Sequence, residues 1–302
     1  MYERKSRPEY EKRDYRHFFS MAEATLTELN TLKINKMQNF PLYQVDAFTD
    51  KLFGGNPAAV VPVPDFPSDD LMQKIANENN LSETAFVAIR GRGKFDIRWF
   101  TPTMEVRLCG HATLASAHIL FKSGDPELTK LRFRTREAGT IIVTPLDDGQ
   151  YSMDFAADVP KKVRAPKGLK GILGGLQPQE VLAGTDDLVV VVKNQQQVES
   201  CSPNLPMLAA LKKYRGLLVT APGKRHDFVS RGFFPAYGID EDPVTGSAHT
   251  VLTPFWAKKL GKKKMTARQV SARGGELLCE LRGKKVRLTG RAVTYLSGQI
   301  IL

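Results

Sequence analysis

Short apolar runs bounded by turn residues recur along the chain, and their lengths predict strands: Leu42 to Phe48, Ala58 to Val61, Thr84 to Ile89 and Phe95 to Phe100. Leu131-Arg132-Phe133-Arg134-Thr135-Arg136 alternates apolar and basic, so its arginines share one face of a half-buried strand. Further strands are predicted at Thr140 to Thr144, Gln150 to Phe155, Leu188 to Val192, Leu217 to Thr220, Val286 to Thr289 and Val293 to Leu296. Helices are fewer. Ser68 can cap one, with Asp69 and Asp70 in its first turn and Leu71, Met72, Ile75 and Ala76 as its apolar stripe. A second opens at Gly110-His111 and runs through Leu114, Ala115 and Ile119. A third opens near Gly246-Ser247 and continues through Val251, Leu252, Phe255 and Trp256, bent at Pro254. The glycine-rich stretch 167–178 reads as a loop or short helix. Many strands with few helices predict the α+β class.

Two segments resemble each other. RWFTPTMEVRLCGHATLASAH at 98–118 and RGFFPAYGIDEDPVTGSAHTVL at 231–252 each carry Arg, an aromatic and Pro, then acidic residues, then a glycine opening an Ala-rich helix. Two similar lobes follow, each offering a helix N-terminus at an equivalent place. The unpaired N–H groups there carry partial positive charge and can bind an anion such as a carboxylate. Cys109 and His111 lie beside the first terminus, and Asp242, Ser247 and His249 beside the second. Glu83 stands where a helix gives way to an apolar strand, a place where a carboxylate can act as acid or base.

Composition narrows the function classes. Lys+Arg 44 against Asp+Glu 32 gives a net charge of +12 over 302 residues, which favours anionic ligands without choosing among them. The basic clusters at Lys262 to Lys264, and at Arg282, Lys284, Lys285 and Arg287, lack interleaved aromatics, so no nucleic-acid partner is expected. No apolar run is long enough for a transmembrane helix, so no membrane partner is expected. Three widely spaced cysteines give no disulfide or zinc framework and point to a reducing cytoplasm. His111 and His118 have no further ligands in register, and no phosphate loop occurs, so no metal and no cofactor are expected. Residues 1–36 mix both charge signs without an apolar core and read as a mobile N-terminal extension, with a short helix possible around 21–32.

NPAAVV from Asn56, NLSETAF from Asn80, FTPTMEVRLCGHATLASAH from Phe100, EDPVTGSAH from Glu241 and RQVSARGGEL from Arg268 together resemble the PhzF-like isomerase family, phenazine biosynthesis-like proteins. The resemblance runs in order from Met37 to Leu302 and is strongest to the family's animal branch. It implies a diaminopimelate epimerase-like fold of two pseudo-symmetric lobes, each a mixed sheet curled around a central helix, with the active site between them. Residues 37–152 would form the N-terminal lobe, 153–290 the C-terminal lobe, and 291–302 would return to the first; each lobe is expected to carry its own sheet. The resemblance makes Glu83 the general acid/base, with Asp242 and His111 assisting, and Asn56, Cys109, Gly110, Gly246 and Ser247 binding substrate. It places Asp242 where the epimerase keeps its second cysteine, which removes a two-thiol mechanism. Arg107 departs from the family pattern. The implied activity is cofactor-independent proton transfer on a small carboxylic acid by a homodimer. The alternative is a non-catalytic protein that binds a protein partner and retains an ancestral isomerase site.

Overall fold

The computed structural model describes residues 39–123 and 125–302. The extension 1–36 and its expected helix lie outside them. β1 (Asn39–Ala47) pairs antiparallel with β2 (Asn56–Val63), and α1 (Asp69–Asn79) carries the chain over to β3 (Glu83–Gly91), parallel to β2. α1 begins as the sequence implies: Ser68 Oγ accepts the Leu71 N–H at 3.3 Å, and Met72, Ile75 and Ala76 are buried against the sheet. β3 turns back into β4 (Lys94–Phe100), which carries the stub β5 (Glu105–Val106). α2 (Gly110–Ser123) then crosses to β6 (Leu131–Arg134), parallel to β4, and β7 (Thr140–Pro145) and β8 (Tyr151–Ala156) follow antiparallel.

The second half repeats this order. After β9 (Lys161–Lys162) and α3 (Leu169–Ile172), β10 (Glu180–Ala183) pairs antiparallel with β11 (Asp187–Val191). α4 (Gln195–Glu199) and α5 (Leu205–Ala209) then lead to β12 (Gly216–Pro222), parallel to β11. β13 (Phe228–Phe234) bears the stub β14 (Ile239–Asp242), and α6 (Gly246–Leu260) crosses to β15 (Lys264–Gln269), parallel to β13. β16 (Gly275–Arg282) and β17 (Lys285–Gly290) follow, again antiparallel. β18 (Ala292–Ile301) returns to pair with β1.

The duplication extends to side chains. Arg98 makes a two-pronged contact with Glu105 at 2.8 and 2.7 Å, and Arg231 makes the same contact with Glu241 at 2.6 and 2.8 Å. These fork-to-fork pairs tie each stub to its sheet. The two sheets are not separate, contrary to the expectation that each lobe carries its own. β8 pairs with β17 along its whole length, Tyr151 opposite Gly290 through Ala156 opposite Lys285, so one hydrogen-bonded ladder runs through both lobes. β8 also runs across the expected 152/153 boundary.

α2 is buried from Gly110 to Leu120 and α6 over most of its length, as helices wrapped by sheet must be. Pro254 lies inside α6 and leaves the Thr250 carbonyl without its helical partner; the Asp158 N–H occupies it at 3.2 Å. The chain leaving β8 is thereby fastened to the helix of the other lobe.

Candidate active site

The two central helices meet head to head. A Cβ on Gly246 would lie 3.4 Å from the Gly110 Cα, already at van der Waals contact, so the two N-termini approach closely with glycine on both sides. Among the described residues no side chain caps α6; the Thr245 hydroxyl donates to Asp242 Oδ2 at 2.6 Å and accepts from Gln269 Nε2 at 3.2 Å. Two positive helix ends thus converge on one point. Around that point opens a cleft of about 520 Å³, lined among others by Glu83, Cys109, His111, Asp242 and Ser247.

Glu83 is the first residue of β3, and its side chain is 12% exposed. Its Oε2 lies 3.0 Å from His111 Nε2, yet that oxygen is buried and has no aligned hydrogen bond among the described residues. The contact is an ion-pair distance off the N–H axis, which leaves a lone pair uncommitted. Asn56 Nδ2 faces His111 Nδ1 at 3.1 Å, Asp242 Oδ1 at 2.7 Å and the Val244 carbonyl at 3.0 Å. Asn56 is fully buried and sits behind the cleft wall, joining His111 of one lobe to Asp242 of the other. Gln269 completes the support: its Nε2 donates to the Asp242 carbonyl at 2.6 Å and its Oε1 accepts the Thr245 N–H at 2.9 Å.

Burial favours the uncharged form of both His111 and Asp242. For His111 the neighbouring Cys109 and Glu83 outweigh that burial and raise its proton affinity well above the ordinary range. Asp242 is raised, by burial first and by the Glu83 charge, against the pull of His111. The Cys109 thiol is pushed up to about 11 by burial and then by Glu83. It is therefore a neutral thiol at pH 7, not the thiolate that its helix-end position suggests. Its Sγ lies 3.5 Å from His111 Nδ1 and 3.9 Å from Nε2. Glu83, Cys109 and His111 present one donor atom each within 4.8 Å of one another, but the sulfur sits nearer Nδ1 than Nε2 and Glu83 Oε2 already faces the ring at 3.0 Å, so the set does not fit a metal.

The register of the repeat corrects one expectation. Trp99 pairs with Val106, and Gly232 pairs with Asp242, so Asp242 is the counterpart of Val106. The residue before Gly246, and hence the counterpart of Cys109, is Thr245. Thr245, not Asp242, stands where a second thiol would be, and the absence of that thiol holds. Phe86 pairs with Arg98 and Val219 with Arg231, so Glu83 has Gly216 as its counterpart. One lobe carries the carboxylate and the other carries no side chain there.

Arg215, just before Gly216, was not anticipated. It pairs with the buried Asp187 at 3.0 and 2.5 Å and donates to Ser247 Oγ at 3.0 Å, stacked over Phe234. No local motif marks it, since parallel pairing of β11 and β12 brings Asp187 beside it. Gln269 lies inside the RQVSARGGEL motif, which was the available signal for it. Arg107 is exposed at the cleft mouth, 4.0 Å from Asp186.

Residues 45–298 match the family described as phenazine biosynthesis-like protein. An uncharacterized isomerase of Pseudomonas aeruginosa is 49% identical over 260 residues, covering 86% of this chain and 98% of that protein. The human phenazine biosynthesis-like domain-containing protein is 39% identical over 288 residues, with the same coverage of 86% and 98%. The bacterial protein is the more similar of the two, which overturns the expected leaning toward the animal branch. A crystal structure of a PhzF-family phenazine biosynthesis protein from Enterococcus faecalis superposes with a TM-score of 0.83 at 41% identity, covering 88% of this chain and all of that one. The two lobes are those of the diaminopimelate epimerase-like fold. The chain belongs to the phenazine biosynthesis-like, PhzF family of isomerases.

Proposed function

We propose that the protein is a cofactor-independent isomerase that moves a proton on a small carboxylic acid, with Glu83 as its general acid/base. The observation that carries this is the buried, uncommitted Oε2 of Glu83 at the cleft, with His111 Nε2 3.0 Å away. The substrate carboxylate lies over the paired N-termini at Gly110 and Gly246, where helix N–H groups meet negative charge. Glu83 removes a proton from a carbon made acidic by that carboxyl group or by neighbouring unsaturation, and returns it to another carbon. His111 faces Glu83, its Nε2 3.0 Å from Oε2. Asp242 orients Asn56 and Thr245, and through Asn56 holds the imidazole in place. Ser247, held by Arg215, borders the substrate on the opposite side.

Because Gly216 stands where the repeat would put a second carboxylate, proton removal and return fall to one group on one face. The three free cysteines are all buried, which supports a reducing, cytoplasmic setting. We take the homodimer from family analogy. A pure partner-binding scaffold would gain nothing from a buried carboxylate left without a hydrogen bond, since such burial costs stability.

Purified protein incubated in deuterium oxide with small cyclic and amino carboxylic acids should label a substrate at carbon. Glu83→Gln, equal in shape but unable to accept the proton, should lower that labelling about 10²-fold or more while the fold survives. Full labelling by a folded Glu83→Gln protein would remove Glu83 from the chemistry.

A further inference from the structure

Arg273, in the turn between β15 and β16, has no part in the mechanism above, yet it reaches from the second lobe into the first. Its Nη2 donates to Asp46 Oδ1 at 2.7 Å and to the Gly54 carbonyl at 2.9 Å, and its Nε donates to the Gly55 carbonyl at 2.9 Å. Asp46 is buried, and its other oxygen accepts the Phe53 N–H at 2.9 Å. The Gly55 N–H in turn donates to the Gly274 carbonyl at 2.7 Å. The segment from Phe53 to Gly55 is thus held from both sides, and the next residue is Asn56, which meets His111 and Asp242. We propose that Arg273 is a positioning residue for Asn56: it holds the Asn56 amide against His111 Nδ1, so that the ring keeps its proton on Nε2, the nitrogen facing Glu83.

The turn that carries Arg273 also holds the other partner of Asn56. Gln269 Nε2 donates to the Asp242 carbonyl at 2.6 Å, and Ser271 Oγ donates to the Pro243 carbonyl at 2.8 Å while accepting the Gly274 N–H at 3.1 Å. One turn of the second lobe therefore sets Asn56 of the first against Asp242. A second observation shows that the amide is held under constraint. Its Nδ2 faces Asp242 Oδ1, the Val244 carbonyl and His111 Nδ1, whereas its Oδ1 is buried without a partner among the described residues. A buried amide oxygen left unpaired is costly, so the backbone beneath it must be fixed for the arrangement to persist. Phe53, within the held segment, has a φ of 69°, a conformation that a phenylalanine rarely adopts.

A donor at Nδ1 leaves no room for a second ring proton there, and so opposes the imidazolium. The titratable groups facing the ring are Glu83 of β3, Cys109 ahead of α2 and Asp242 of β14. Glu83 and Cys109 draw a proton to the ring, and Asn56 resists it. Loss of the arginine should let the amide drift and the ring take up its second proton more readily. What this means for proton transfer by Glu83 rests on the isomerase reading; the protonation of the ring does not.

The test is nitrogen NMR of protein carrying isotope-labelled histidine, with His111 assigned among the five histidines by its loss in His111→Gln and titrated through its pKa, beside urea unfolding of each variant. The neutral wild-type ring should be protonated at Nε2. Arg273→Met should raise the proton affinity of His111 roughly three- to tenfold, the contribution of one hydrogen bond. Arg273→Lys, a point charge able to meet Asp46 but not to span both carbonyls as well, should raise it less. Asn56→Ala should give the full rise, and adding Arg273→Met to it should change nothing further, because the arginine acts only through the amide. A merely structural role would move the urea midpoint and leave the His111 titration in place. An unchanged His111 titration in folded Arg273→Met would overturn the proposal, and so would a wild-type neutral ring protonated at Nδ1. A further rise in the double variant would overturn it as well, since the effect would then be one of charge alone. If Arg273→Met does not fold, Arg273→Lys decides by the same criterion. None of these readings needs turnover, so failure here is distinct from failure of the isomerase assignment.

Discussion

Mild acid should unfasten the two central helices before it disturbs the surface. His118 on α2 and His249 on α6 are both buried, and burial pushes their proton affinities down to about 3 and about 4. His118 is held between Tyr151 Oη at 3.3 Å and Thr294 Oγ1 at 3.0 Å. His249 donates from Nδ1 to the Thr245 carbonyl at 2.8 Å, and its Nε2 is buried without a partner among the described residues. The folded state thus binds each proton more weakly than the unfolded chain, whose histidines titrate near 6.5. Stability contributed in this way is present above the unfolded value and is lost as pH falls below it. Between pH 6.5 and 5.0 each histidine should cost about 1.6 kcal/mol, and the two together about 3 kcal/mol. That is a large part of an ordinary domain's stability. His111 and Asp242 are shifted in the opposite direction, so the wild-type slope alone mixes several groups. Urea unfolding across this range in wild type, His118→Gln and His249→Gln separates them. Each variant should lose about 1.6 kcal/mol of the change between pH 6.5 and 5.0 even if its stability at pH 7 is lower. A variant whose pH slope equals that of wild type would refute the assignment of a neutral, buried imidazole at that position.

Two further outcomes follow from particular contacts. Cys109→Ala should keep most of the solvent-deuterium labelling that Glu83→Gln loses, because the thiol is held neutral; equal losses in two folded variants would make the cysteine a direct participant. Gly216→Ala should destabilise the second lobe by about 1–3 kcal/mol in urea unfolding, since a Cβ there would lie 2.2 Å from the Phe234 ring; an unchanged midpoint would mean that β12 moves freely at that point.

The parts of the fold legible in the sequence were those in which local pattern and tertiary burial agree. The Ser68 cap, the apolar stripe of α1 and the arginine-faced alternation of β6 each state their own environment. β10, β13, β15 and β16 were not anticipated. β13 carries Arg231 in mid-strand, and the pairing with Glu241 together with donation to the Glu199 and Cys201 carbonyls makes that arginine compatible with a largely buried strand. β15, KMTARQ, alternates buried and exposed, but its Lys264 and Arg268 read as charge instead of as the outer face of a strand. For the site, Cys109, Gly110, His111, Asp242, Gly246 and Ser247 from the two helix starts line the cleft and Asn56 lies directly behind it, whereas His249 is fully buried and does not line it. Arg215 and Asp187 remained hidden because they become partners only through parallel pairing of β11 with β12. The expected gap between the two sheets failed for a related reason: the β8–β17 pairing joins strands from opposite ends of the repeat, and neither strand's own pattern records its partner.

The central claim is that one carboxylate on one face both removes and returns the proton. Its most direct test is the position and configuration of deuterium in the product of a single turnover in deuterium oxide, read by nuclear magnetic resonance. The account predicts label at one carbon, on one face only, with no racemised substrate recovered. Label on both faces of the same carbon, or recovery of racemised substrate, would require a second acid opposite Glu83 and would contradict a site whose other lobe offers Gly216 in that place.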